Sequence, residues 1–224
     1  MTCTKKRPFL LSALLGAALL MGCGGGGGDD PVIPDNPTTA AGYTSRGWER
    51  FEDGDLSGAL SDFTDALGMD ADHGPAHAGQ GWVRLSQATS PLTMQAAVSA
   101  FTSAITAGES GAYVQAGRAA ANLGSSSTYL AAAVTDAQAA RATDPAFVFS
   151  HWTSFDLVDV RLIEAFARAG QGNLAEALTL ADVIQASGIT AGNSATWQVD
   201  GVDYASFAGA VLAQLARLSE LHAG

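Results

Sequence analysis

Residues 59–67, Ala59-Leu-Ser-Asp-Phe63-Thr-Asp-Ala66-Leu67, return at residues 97–105 as Ala97-Val-Ser-Ala-Phe101-Thr-Ser-Ala104-Ile105. Two alanines seven apart make one narrow face on an α-helix, and the phenylalanine between them is the knob that this face presents. Toward the N-terminus, Gly47-Trp48 and Gly81-Trp82 stand 34 residues apart, with Tyr43 and His77 four residues before their glycines. Tyr113 and Gly117 make the next copy of that first helix, and Ala133, Ala137 and Ala140 the next copy of the second, with a smaller knob. A mid-helix glycine costs about 0.5–1 kcal/mol relative to alanine, so its return predicts a partner helix approaching too closely for a Cβ.

A helix pair of this kind cannot bury its apolar stripe alone and must stack on its neighbours. The expected fold is therefore all-α, a right-handed α-α superhelix of about four helix pairs closed by a C-terminal capping helix. The pattern resembles the tetratricopeptide repeat (TPR) over residues 40–187, with Gly54-Asp55-Leu56 in the place of its usual turn and Pro145 as its closing proline. From the glycine to the first alanine of the next helix is 12 residues in the first pair and 16 in the second and third, which predicts longer turns there. Ser90-Pro91 suits a helix start. A fourth, weaker pair is expected over 159–186, with Ala165 for the glycine, Ala181 for the phenylalanine, and Asn173 with Glu176 as a capping box. Residues 188–224 are expected to form a loop and a final helix over 203–222.

The N-terminus reads as an address. Lys5, Lys6 and Arg7 precede an apolar run over 9–21, the charged and apolar regions of a secretory signal. The run ends in Leu20-Met21-Gly22-Cys23, which resembles a bacterial lipobox. That resemblance implies removal of residues 1–22 as a signal peptide, lipidation at Cys23, and a bilayer anchor; with Gly24 following, it implies the outer membrane, facing the periplasm. The alternative is an ordinary cleavage site with a stray cysteine. Residues 23–39, with a glycine run and then Asp29, Asp30, Pro31, Pro34 and Pro37, read as a lipidated cysteine and flexible tether.

The full chain has 224 residues, 11 basic and 22 acidic, for a net charge of -11. A phosphate backbone would be repelled by that charge, so nucleic acid is excluded as a partner. No enzyme is expected: a Gly-x-Ser-x-Gly elbow and a His-Glu-x-x-His zinc motif are both absent, as is any lysine after residue 22. No cofactor is implied. His73 and His77 beside Asp70 and Asp72 have the spacing of metal ligands, yet they fall in an inter-repeat turn and at a helix head, so no metal site is expected.

By spacing i, i+4, i+7, the stripe on the first helices carries Trp48 and Phe51, then Trp82 and Leu85, then Arg118. In tetratricopeptide domains that stripe lines the concave groove holding a partner segment. The resemblance thus implies a protein partner bound by Trp48, Phe51, Trp82, Leu85 and Arg118, the alternative being that these residues pack repeat against repeat. Glu49, Glu52, Asp53, Asp55, Asp62 and Asp65 read as a solvated acidic face favouring a basic partner. Residues 147–155 gather Phe147, Phe149, Trp152 and Phe155 around His151, and a second aromatic segment holds Trp197. These either fill the core or offer Trp152 and Trp197 to a glycan or other ligand. The expected function is a membrane-anchored interaction scaffold of the cell envelope, with a ligand-binding lipoprotein as the alternative.

Overall fold

The computed structural model describes residues 37–223. The expected signal peptide, Cys23 and most of the expected tether lie outside the described residues. Four antiparallel pairs follow one another: α1 (Ala40–Asp53) with α2 (Leu56–Met69), α3 (Gly74–Gln87) with α4 (Pro91–Thr106), α5 (Ala112–Ser125) with α6 (Leu130–Thr143), and α7 (Leu157–Gly170) with α8 (Leu174–Ile184). A two-residue hairpin, β1 (Gln198–Val199) and β2 (Val202–Asp203), precedes α9 (Phe207–Ala223). Each helix packs on the next in sequence order, and the first helices α1, α3, α5 and α7 also touch in succession. This is the TPR-like, all-α superhelical arrangement. Among the described residues no helix is long and apolar enough to cross a membrane.

Local chemistry sets the helix starts. Thr39 Oγ1 accepts the Gly42 N–H at 3.0 Å, and Asp55 accepts the Gly58 N–H at 2.9 Å. Gly54 ends α1 and Gly172 follows α7, both at positive φ, 86° and 85°, where an L side chain would be strained.

The glycine–phenylalanine pattern has a direct cause. Phe63 lies between Gly47 of its own pair and Gly79 of the next, where an added Cβ would stand 2.7 and 2.4 Å from its ring. Phe101 sits in the same way between Gly81 and Gly117, at 2.6 and 2.4 Å. The close neighbour is thus an aromatic knob shared by two first helices, rather than a helix backbone.

Several local expectations need correction. The four extra residues do not all enter the turns. In the second pair α4 starts earlier, because Ser90 and Thr93 form a capping box with Pro91 in the first turn; in the third pair α5 runs on to Ser125 and a 3-10 turn, Ser127–Tyr129, follows. Asn173 makes no side-chain cap: its amide donates to Gln171 Oε1, and Glu176 pairs with Arg168. The capping box of the fourth pair lies at Asp156 and Asp159, at the start of α7. The last helix begins at Phe207, since Val202 and Asp203 are taken by the hairpin, whose Asp200-Gly201 turn has positive φ at both residues.

Two apolar cores result. The first runs from α1 through α6 into 147–163, and the second joins α7, α8 and α9. Leu162 and Ala165 of α7 enter the second core, while Val160 and Ile163 enter the first.

Candidate functional site

The face made by α1, α3 and α5 carries the stripe that the sequence singles out, but the chain covers that face itself. Residues 147–157 form a closed loop: the Phe149 N–H donates to Phe155 O at 2.9 Å, the Leu157 N–H to Phe147 O at 2.9 Å, and Val148 bridges Asp156. Its rings enter the groove. Phe149 stacks on Trp82 with centroids 4.2 Å apart and lies against Trp48 at 5.8 Å and Tyr113 at 6.0 Å, so it touches three successive first helices. Phe155 meets Trp82 edge-on at 5.1 Å. His151 stacks on Trp48 at 4.2 Å with an interplanar angle of 2°, and its Nδ1 lies 2.6 Å from Glu52 Oε1.

The expected groove residues are therefore corrected in accessibility. Phe51, Trp82 and Leu85 are fully buried and Trp48 keeps 8% of its surface. The physical reason is that large aromatics on a concave stripe gain more by covering one another than by facing water. Arg118 is engaged within its own helix pair: its guanidinium donates twice to Asp136, at 2.9 and 2.6 Å, and Asn122 completes the carboxylate's partners at 3.0 Å. Asp62 is not solvated either. It is buried between Arg46, at 3.0 and 2.6 Å, and Arg50 at 3.3 Å. Both carboxylates sit one residue before the knob position, so each clamps the two helices of its pair. The signal in the sequence is an arginine beside the mid-helix glycine with an aspartate before the knob; taken singly, Asp62 reads as part of an acidic face and Arg118 as a groove residue.

Trp152 and Trp197, the rings a ligand-stacking site would use, are engaged in packing. Trp152 lies against Trp82 and Phe155, and Trp197 lies on Phe207 and donates its Nε1–H to Thr190 O at 2.9 Å. His73 and His77 do not converge: His73 faces Asp70 at 3.7 Å, while His77 Nε2 lies 3.0 Å from Ala71 O.

Two cavities bear on the site among the described residues. One, of about 400 Å³, lies beside the loop and is lined by Trp48, Tyr113, Thr143, Phe147, Val148 and His151 among others. Burial pushes the Tyr113 phenol well above its ordinary range, with the Glu109 charge adding to it, so its hydroxyl stays a neutral donor and acceptor. The other cavity, of about 640 Å³, lies between α6, α7 and α8; in it Glu164 collects Arg141, Arg168 and Gln138.

No family model matches the chain, and no curated protein matches it. Among solved structures it is similar to YrrB, described as a TPR protein with an unusual peptide-binding site. The identity is 18% and the TM-score 0.57, over 85% of this chain and 93% of that one. The fold is thus TPR-like.

Proposed function

We propose that the chain is a protein-interaction scaffold of the bacterial cell envelope, tethered to a bilayer through an acylated Cys23, that receives a partner segment on the face of α1, α3 and α5. The single observation supporting this is that the face already holds a peptide: its own loop, seated by Phe149 across three first helices. A surface that accepts an aromatic residue on a hydrogen-bonded loop has the ring pockets a partner segment needs. The cavity of about 400 Å³ beside the loop has room for one apolar side chain of the partner, and a longer segment enters by displacing Phe149. Glu52, which meets His151 at the edge of the cavity, carries the acidic surface of α1 up to it, so a partner segment of net positive charge fits best. No chemistry and no cofactor are required.

Val148 is 53% exposed and lines the cavity, whereas Leu92 on α4 is 81% exposed and lies away from it. Crosslinking in cells tests the reading. Val148→Arg is expected to lose the partners that wild type and Leu92→Arg both capture, and Cys23→Ser is expected to release the protein from the membrane fraction. Capture of the same partners by Val148→Arg would refute the groove, and membrane retention of Cys23→Ser would refute the anchor.

A further inference from the structure

The start of α7 and the end of α9 meet at Asp156, Asp159 and His222, whose ligand atoms all lie within 4.8 Å of one another. His222 Nε2 stands 3.3 Å from Asp156 Oδ1 and 3.4 Å from Asp159 Oδ2. A tetrahedral ion with bonds of about 2.0–2.2 Å separates neighbouring ligand atoms by about 3.3–3.6 Å, so the two spacings from His222 match such a shell.

A second observation is independent of that spacing. Asp159 is fully buried, and its Oδ1 has no hydrogen-bond partner among the described residues. Its Oδ2 accepts the Asp156 N–H at 2.8 Å, and Asp156 Oδ1 accepts the Val158 N–H at 2.7 Å. Each carboxylate oxygen has a second lone pair, so these caps do not prevent metal ligation. No arginine pairs with either aspartate among the described residues; the side chain facing both is the imidazole of His222. Burial pushes the Asp159 carboxyl up to about 8, the Asp156 N–H opposes the rise, and the Asp156 charge adds to it. The buried Asp159 carboxyl thus has no arginine or lysine beside it to compensate its burial.

We propose that Asp156, Asp159 and His222 bind a divalent transition-metal ion, with Zn²⁺ as the fitting probe, and that the ion staples α9 to the start of α7. One imidazole nitrogen with two carboxylate oxygens suits zinc better than the all-oxygen shells of calcium or magnesium. The side chains of Asp156 and His222 are 29% and 24% exposed, which leaves a path for the ion and a place for a water ligand. The ligands come from the two ends of the second core, so binding and folding of that core are coupled.

The test uses the full chain without an affinity tag, carrying Cys3→Ser and Cys23→Ser so that no thiol competes. Calorimetric titration with Zn²⁺ should show one ion per chain, and thermal unfolding should give a higher Tm with Zn²⁺ than with chelator. His222→Ala, and Asp156→Ser, which keeps a capping hydroxyl, should each weaken binding by at least about tenfold and remove the rise in Tm. Co²⁺ should give visible d–d bands in the parent chain and lose them in His222→Ala. A His73→Ala/His77→Ala variant should bind as the parent does. Unchanged Zn²⁺ affinity in His222→Ala and Asp156→Ser, loss of binding in the His73/His77 variant, or no rise in Tm with Zn²⁺ would each overturn the proposal.

Discussion

Phe101 occupies a slot that exists because two helices give up a side chain each. At Gly117 an added methyl would stand 2.4 Å from the ring's Cζ. Gly117→Ala gains helix propensity, worth about 0.5–1 kcal/mol, but overpacks a buried ring, which costs about 1–3 kcal/mol. A net loss of stability is expected in urea unfolding, and Phe101→Leu in the same chain should recover part of it. Gly68→Ala is the contrast: nothing lies within 4 Å of its Cβ, so that variant should be more stable than wild type. The clamp at Asp136 makes a second residue-scale prediction. Removing that carboxylate leaves the Arg118 guanidinium and the Asn122 amide without their acceptor, so Asp136→Ala should cost about 1.5–3 kcal/mol in the same measurement. A change within about 0.5 kcal/mol, the usual range for a surface substitution, would mean that the pair is merely superficial.

Among the elements, the loop over 147–157 explains most of the difference between sequence and structure. The paired helices were legible because glycine, alanine and phenylalanine recur at fixed intervals, and the size of each residue dictates which face can approach which. The loop has no period. Phe149 and Trp152 have the same composition whether they face a ligand or the protein's own groove, so the stripe of Trp48 and Trp82 could be identified but not its occupant. Charge misled for a related reason: Asp62 reads as surface until the arginines one turn apart on α1 are seen to reach it. The loop also has testable energetics. Phe149 is buried against three helices, and Phe→Ala in such a place costs about 3–5 kcal/mol. Because the loop is closed by its own hydrogen bonds rather than by helix pairing, the loss should be felt first locally. Phe149→Ala is expected to admit protease cleavage within 147–157 and to shift tryptophan emission to the red while helical circular dichroism is retained. Intact resistance to cleavage would show that Phe149 does not hold the loop down.

Across the whole molecule, the two cores share one wall. Helix α7 gives Val160 and Ile163 to the core of the first three pairs, and Leu162 and Ala165 to the core that holds α8 and α9. A stacked architecture has few contacts between distant parts, so its stability is close to a sum of local pieces joined at interfaces. The weaker piece here is the C-terminal one, since α8 is the shortest α-helix among the described residues and α9 is reached through a loop and a two-stranded hairpin. Leu215 is fully buried in that core, and Leu215→Ala should cost about 2–5 kcal/mol there. In a single cooperative domain such a loss would lower hydrogen-exchange protection everywhere. In this chain it should fall on α8 and α9 first, with α1 to α6 retaining most of their protection, because the Phe149 loop and the inner side of α7 still close the first core. Thermal unfolding of Leu215→Ala should correspondingly resolve into two transitions. Uniform loss of protection from α1 to α9, with one sharp transition, would mean that α7 transmits unfolding across both cores and that the molecule behaves as one unit.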